Sequence, residues 1–85
     1  MKYEFITTES RLESVSRNLL KEDAIGVDLE ADAMHCFKEK ICLIQIATAR
    51  SAFLVDPFVV NDISSFVAVL ENKDVVKIFH GSDFD

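Results

Sequence analysis

The chain has 85 residues with 49% apolar side chains, seven Phe, two Gly and one Pro, which suits one small packed domain and argues against a linker or a disordered segment. Its formal net charge of −6 excludes the plainest kind of nucleic-acid binder, one that neutralises phosphates with its own Lys and Arg. Two cysteines, Cys36 and Cys42, are too few for a disulfide framework, and no apolar run reaches membrane-spanning length.

The opening Met1-Lys2-Tyr3-Glu4 has no signal-peptide pattern, so a reducing cytoplasm is expected and no membrane contact. Tyr3 to Ile6 reads as a short strand. Ser10 with Glu13 three residues on can form a capping box, and Thr8 is a competing N-cap. Leu12, Val15, Leu19 and Leu20 then recur at helical spacing up to about Lys21. Ala24 to Glu30 alternates as a strand, with Ile25, Val27 and Leu29 on one face and Gly26, Asp28 and Glu30 on the other. Asp32 to Lys40 is polar and mixed, and reads as a loop.

Ile41 to Thr48 is apolar on both faces, as expected of a central strand covered on both sides. Ala49-Arg50-Ser51 is a tight connection to a strand over Ala52 to Val55, which Asp56-Pro57 ends. Strands joined this closely form an antiparallel hairpin. Asp62 can cap a second helix, with Ile63, Phe66, Val67 and Leu70 as its apolar stripe and Asn72 as its stop. Val75 to Phe79 reads as a strand that a right-handed crossover lays parallel to an earlier one. His80-Gly81-Ser82 is a turn, and Ser82 can cap a helix beginning with Asp83, Phe84 and Asp85. The expected fold is α/β: a mixed sheet with flanking helices, in which three antiparallel strands are joined by one parallel strand after a crossover helix. An end inside the first turn of a helix leads to the expectation of a fragment.

Asp28-Leu29-Glu30 is the sharpest chemical feature. It puts two carboxylates on one face of a strand that Leu29 anchors from the other side. Such a pair is costly in a buried strand unless it is solvated, protonated or bound to cations. It suits an all-oxygen metal site on rigid backbone. An isolated Asp-x-Glu is more often an edge strand whose polar face meets water. His80 to Asp85 follows an apolar strand, at the sheet end where α/β folds bind ligands. By itself that segment reads more readily as a capped helix start, with acids favoured in its first turn.

Together with their surroundings these features resemble a known family. Val27-Asp28-Leu29-Glu30-Ala31-Asp32, then Ile41-Cys42-Leu43-Ile44-Gln45-Ile46-Ala47, then Phe53-Leu54-Val55-Asp56-Pro57, then Lys77-Ile78-Phe79-His80-Gly81 with Asp85 five residues after the His, look like the ribonuclease D family of DEDD exonucleases. The resemblance covers essentially the whole chain. It implies a ribonuclease H-like fold and a metal-dependent 3′→5′ exoribonuclease that releases nucleoside 5′-monophosphates from RNA such as tRNA precursors. It also implies that residues 1–85 are the N-terminal part of the exonuclease domain. Asp28 and Glu30 match the first exonuclease motif and Asp85 the second, as ligands of two Mg²⁺ or Mn²⁺ ions, with Asp83 as a weaker competitor for the second. The third motif, Tyr or His with Asp four residues on, is absent; Tyr3 cannot fill it. These residues alone are therefore expected to have little or no activity.

Met34, His35 and Phe37 fall where the family engages the terminal nucleotide, and ordinary loop packing is the alternative. Gln45 and His80 are further substrate-contact candidates, although Gln45 reads more readily as a satisfied buried amide. Zinc on His35, Cys36, Cys42 and His80 has no matching spacing. Asp56 reads as a turn residue, and Lys38, Lys40 and Arg50 as solvated charge rather than phosphate contacts. Two other functions remain open: a DNA-directed exonuclease of the same superfamily, and an inactive relative that binds nucleic acid without cutting. The strand Val75 to Phe79 lacks a further neighbour, so its apolar edge is expected to invite self-association.

Overall fold

The computed structural model describes residues 2–30 and 43–79. Five strands and two helices follow in the order β1 (Tyr3–Ile6), α1 (Glu9–Leu19), β2 (Ala24–Glu30), β3 (Leu43–Ala47), β4 (Ala52–Val55), α2 (Ser64–Glu71) and β5 (Val76–Phe79). All five strands lie in one sheet of order β1-β4-β3-β2-β5. The hairpin β3–β4 and the pair β2–β3 are antiparallel, while β5 runs parallel to β2 and β1 parallel to β4. The expected three antiparallel strands and one parallel strand are all present. β1 adds a fifth at the edge beside β4, far in sequence from its neighbour.

The two crossovers, β1–α1–β2 and β4–α2–β5, step the same way across the sheet. A uniform right hand therefore puts both helices on one face. The contacts agree: Leu12, Val15 and Leu19 of α1 and Phe66 and Val69 of α2 share one buried cluster with Ile6, Ile25, Val27, Ile44, Ile46 and Val55 of the sheet. Each such side chain contributes roughly 1.5–3 kcal/mol through the apolar area it hides.

Local chemistry sets the element ends. Thr8, not the Ser10–Glu13 box, caps α1: its Oγ1 accepts the Arg11 N–H at 3.1 Å. The box would have started the helix two residues later and lost that turn. Asp62 stands one residue before the cap position of α2, where Ile63 sits without a side-chain bond. The Asp62 carboxylate still accepts the Ser64 N–H at 3.0 Å and the Ser64 hydroxyl at 2.6 Å, and this holds its pKa below the ordinary aspartate range. Two stripe positions also differ from expectation. Leu20 is exposed and Ser16 takes the inward place on α1; Val67 is exposed and Val69 takes it on α2. The shift on α1 follows from where the helices touch, since Ser16 Oγ meets Ser65 Oγ at 3.4 Å across the α1–α2 contact.

Thr48 closes the β3–β4 turn by accepting the Arg50 and Ser51 N–H groups at 3.2 and 3.0 Å. Asp56 is a turn residue as expected, with Oδ1 accepting the Phe58 N–H at 2.8 Å. Asn72 ends α2, and its Oδ1 accepts the Asp74 N–H at 2.8 Å.

Candidate active site

β2 places the two acids. Ile25, Val27 and Leu29 turn toward the helices, so Gly26, Asp28 and Glu30 turn to the opposite face. β2 lies between β3 and β5, which rules out the edge-strand explanation for the paired acids. Asp28 is half-buried and Glu30 exposed. Among the described residues neither is ion-paired; the salt bridge there joins Arg11 to Glu4 instead. Two like charges on one face of an inner strand, with no cationic partner among the described residues, form an unfinished electrostatic arrangement. Hard divalent ions fit the donor set, because carboxylate oxygens are what such ions take. Among the described residues no group of three metal-binding side chains converges, so this part of the site is the pair alone.

The neighbouring strands complete the floor. In register, Asp28 faces Gln45, Gln45 faces Leu54, and Leu54 faces Phe5. Gln45 is half-buried and lines, with Asp28, Gly26, Ala47 and Tyr3, a cavity of about 180 Å³. Its side chain therefore belongs to the face of the sheet that carries the acids, not to the core. Among the described residues β3 is covered on one side: Ile44 and Ile46 are buried under the helices, whereas Leu43, Gln45 and Ala47 are half-buried on the opposite face.

β5 pairs Phe79 with Val27, so the strand delivers the chain to the end of the sheet where Asp28 stands. Asp85 and His80, and likewise Met34, His35 and Phe37, lie outside the described residues, as do Cys36, Cys42, Lys38 and Lys40. Arg50 sits in the β3–β4 turn beside Ala47, at the other end of β2 from Glu30, and is exposed, which fits solvated charge.

Tyr3 was missed by sequence reasoning, having been weighed only as a missing-motif tyrosine. Its ring reaches the same cavity as Asp28 because β1 lies beside β4. Alternation in β1 puts Tyr3 and Phe5 on the face opposite Ile6, but nothing local says which strand β1 joins. A larger cavity, about 240 Å³, lies on the helix side among Glu4, Arg11, Asn18, Glu22, Thr48 and Ser51, and includes neither acid. Its fork-like ion pair, 2.6 and 2.7 Å, ties β1 to α1; the bond from Arg11 holds the Glu4 carboxyl below its ordinary pKa.

Comparison with known proteins bears on this geometry. The family model described as 3′–5′ exonuclease matches residues 3–85. Protein RRP6-like 3 of Arabidopsis thaliana is 36% identical over 84 residues, which is 98% of this chain and 9% of that protein. Ribonuclease D of Haemophilus influenzae is 30% identical over 83 residues, 98% of this chain and 21% of that one. The crystal structure of Escherichia coli RNase D superposes with a TM-score of 0.84 at 29% identity, covering 94% of this chain and 21% of its own. The chain thus spans 9% and 21% of the length of the two curated relatives named here. With an inner-strand Asp-x-Glu, a ribonuclease H-like sheet and a family model matched over nearly its full length, this chain belongs to the 3′–5′ exonuclease family.

Proposed function

We propose that the protein carrying this stretch is a metal-dependent 3′→5′ exoribonuclease that releases nucleoside 5′-monophosphates from RNA 3′ ends. The observation that carries the proposal is the same-face pair Asp28 and Glu30 on an inner strand, without a cationic partner among the described residues. The relatives support RNA as the substrate, since the E. coli enzyme is described as an exoribonuclease involved in structured RNA processing. Precursor tRNA is one substrate of that kind.

Asp28, Glu30 and Asp85 would hold two divalent cations, Mg²⁺ or Mn²⁺. Bound there, such ions neutralise the scissile phosphodiester and activate the attacking water. The chain's own part is positional. Leu29, packed against the core, fixes the spacing of the two carboxylates, and Gln45 presents an amide beside Asp28 to the ribose or phosphate. Met34, His35, Phe37 and His80 are the remaining substrate contacts in this reading; a stacked base is worth ~1–3 kcal/mol. The stretch then represents the N-terminal part of the exonuclease domain, with its first and second motifs, working in the cytoplasm.

The test is digestion of 3′-end-labelled RNA by the intact protein with Mg²⁺ or Mn²⁺. Asp28→Asn should lower the rate by at least ~10²-fold, the scale seen when one group stabilising transition-state charge is removed. Undiminished digestion refutes the role. A matched DNA oligonucleotide separates the DNA-directed alternative, because the 2′-OH is the distinguishing group. Binding without cleavage by the unsubstituted protein would identify an inactive relative.

The outer edge of β5 presents Val76, Ile78 and Phe79, each about half exposed, and supports self-association of the isolated chain. Light scattering that gives a monomer at high concentration refutes this.

A further inference from the structure

Four of the five strands run the same way. β5 is parallel to β2, β1 is parallel to β4, and β2 and β4 share a direction because each is antiparallel to β3. Their carboxyl ends lie together, at the end where such sheets take ligands. In register, Leu29, Ile44 and Val55 form one row. The next residues of the two parallel strands, Glu30 and Asp56, therefore stand at the same level. At ~4.8 Å between strands, β4 lies ~10 Å from β2. The loop after β4 thus rises from the same rim as the acids.

That loop is held at several points. The Asp56 carbonyl accepts the Val59 and Val60 N–H groups, each at 2.9 Å, and Asp56 Oδ1 accepts the Phe58 N–H. Pro57 fixes its own φ. Val60 is fully buried in the core cluster and pins the far side of the turn. At the end of the loop the Asp62 N–H donates to Glu9 Oε2 at 3.1 Å, which ties it to α1. On this frame Phe58 and Val59 are each 56% exposed. Burial is what makes an aromatic ring stabilising, so a ring left half in water contributes little to this fold.

We infer that Phe58 is a stacking platform for a base of the RNA strand, on the 5′ side of the nucleotide held at Asp28 and Glu30. The inference rests on the proposed exonuclease reading, which puts the RNA 3′ end at those acids. The ~10 Å from β2 to β4 corresponds to about three nucleotides at ~3.4 Å per stacked step. A base suits the loop better than a phosphate does. The chain carries a formal net charge of −6, whereas every base offers a π-face that a ring holds without any charge. A protein partner suits it less. A stable protein interface takes about 800 Å² from each side, and the other large apolar side chains exposed among the described residues stand on strands and helices, not on this loop. One ring and one valine are enough for a base.

The test uses the intact protein that carries this stretch, with Mg²⁺ or Mn²⁺, on 5′-labelled oligouridylates. One is a dinucleotide, too short to reach Phe58, and the other has about ten nucleotides. Phe58→Ala should raise KM for the longer RNA by ~5–150-fold, the equivalent of one stacked base, and leave its kcat within about twofold. The dinucleotide should be cleaved as before. Phe58→Trp should keep the KM of the unsubstituted protein, and Phe58→Leu should lose it as Phe58→Ala does, because leucine is apolar but has no π-face. An unchanged KM, an equal change on both substrates, or full function in Phe58→Leu overturns the inference. So does a melting temperature lowered by more than ~5 °C in Phe58→Ala, which would mean that the ring is packed in the intact protein. Binding of the longer RNA to Asp28→Asn protein, with and without Phe58→Ala, is read separately from cleavage. Cleavage by the unsubstituted protein with no effect of Phe58→Ala would overturn the platform and leave the nuclease reading standing. Binding that depends on Phe58 in a protein that never cleaves would do the reverse.

Discussion

On the helix side of the sheet, Ile25, Val27, Ile44, Ile46 and Val55 are all buried to 2% or less. On the other side, the same strands put Gly26, Asp28, Gln45 and Ala47 around an open cavity that Tyr3 also lines. The first face is built for stability, with β-branched and aliphatic residues packed under two helices. The second gives stability up: it exposes aromatic rings, keeps a glycine in mid-strand and sets two carboxylates side by side. Function concentrates where the local rules of packing are broken, and here they are broken on one face only.

The sharpest way to break this contrast is to substitute one phenylalanine on each side. Phe66→Ala, in the core, should cost about 3–5 kcal/mol in denaturant unfolding. Phe5→Ser, on the open face, should cost under about 1 kcal/mol. Comparable losses would mean that the open face is already packed. A smaller effect belongs to the boundary of the closed face. Thr8→Ala removes the α1 cap and should cost about 1 kcal/mol, while Ser10→Ala should cost much less. An equal loss at Ser10 would restore the capping-box expectation.

The smallest effect is the pH dependence of the Glu4–Arg11 pair. The hydrogen bond from Arg11 lowers the Glu4 pKa in the folded state. The unfolded chain therefore takes up the proton first as pH falls. The pair's stabilisation is present above the unfolded value, ~4.3, and is lost as pH falls through the lower folded value. Both side chains are more than 40% exposed, so solvent and salt screen the effect heavily. Glu4→Gln should flatten the acid limb of the melting-temperature profile slightly at low salt and not at all in 1 M salt.

Much of this was legible in the residues. Ala24–Glu30 shows its two faces by alternation alone, and the acids share a face because a strand repeats every two residues. The β3–β4 hairpin follows from a connection too short for anything else. The helix stripes were legible in period but not in phase. Val69 displaces Val67 in the buried cluster, and Ser16 displaces Leu20 where α1 meets α2. Gln45 could be named as a candidate, but its place opposite Asp28 depends on the β2–β3 register.

The sequence by itself determined which segments are strands and helices, and that Asp28 and Glu30 point together, because these depend on neighbours a few residues apart. Only the tertiary structure decided that β2 is an inner strand, that β1 joins β4 across some 45 intervening residues, and that Tyr3 therefore shares a cavity with Asp28. Strand order is set by crossover handedness and by which edges are left to pair, and neither is written in a local pattern.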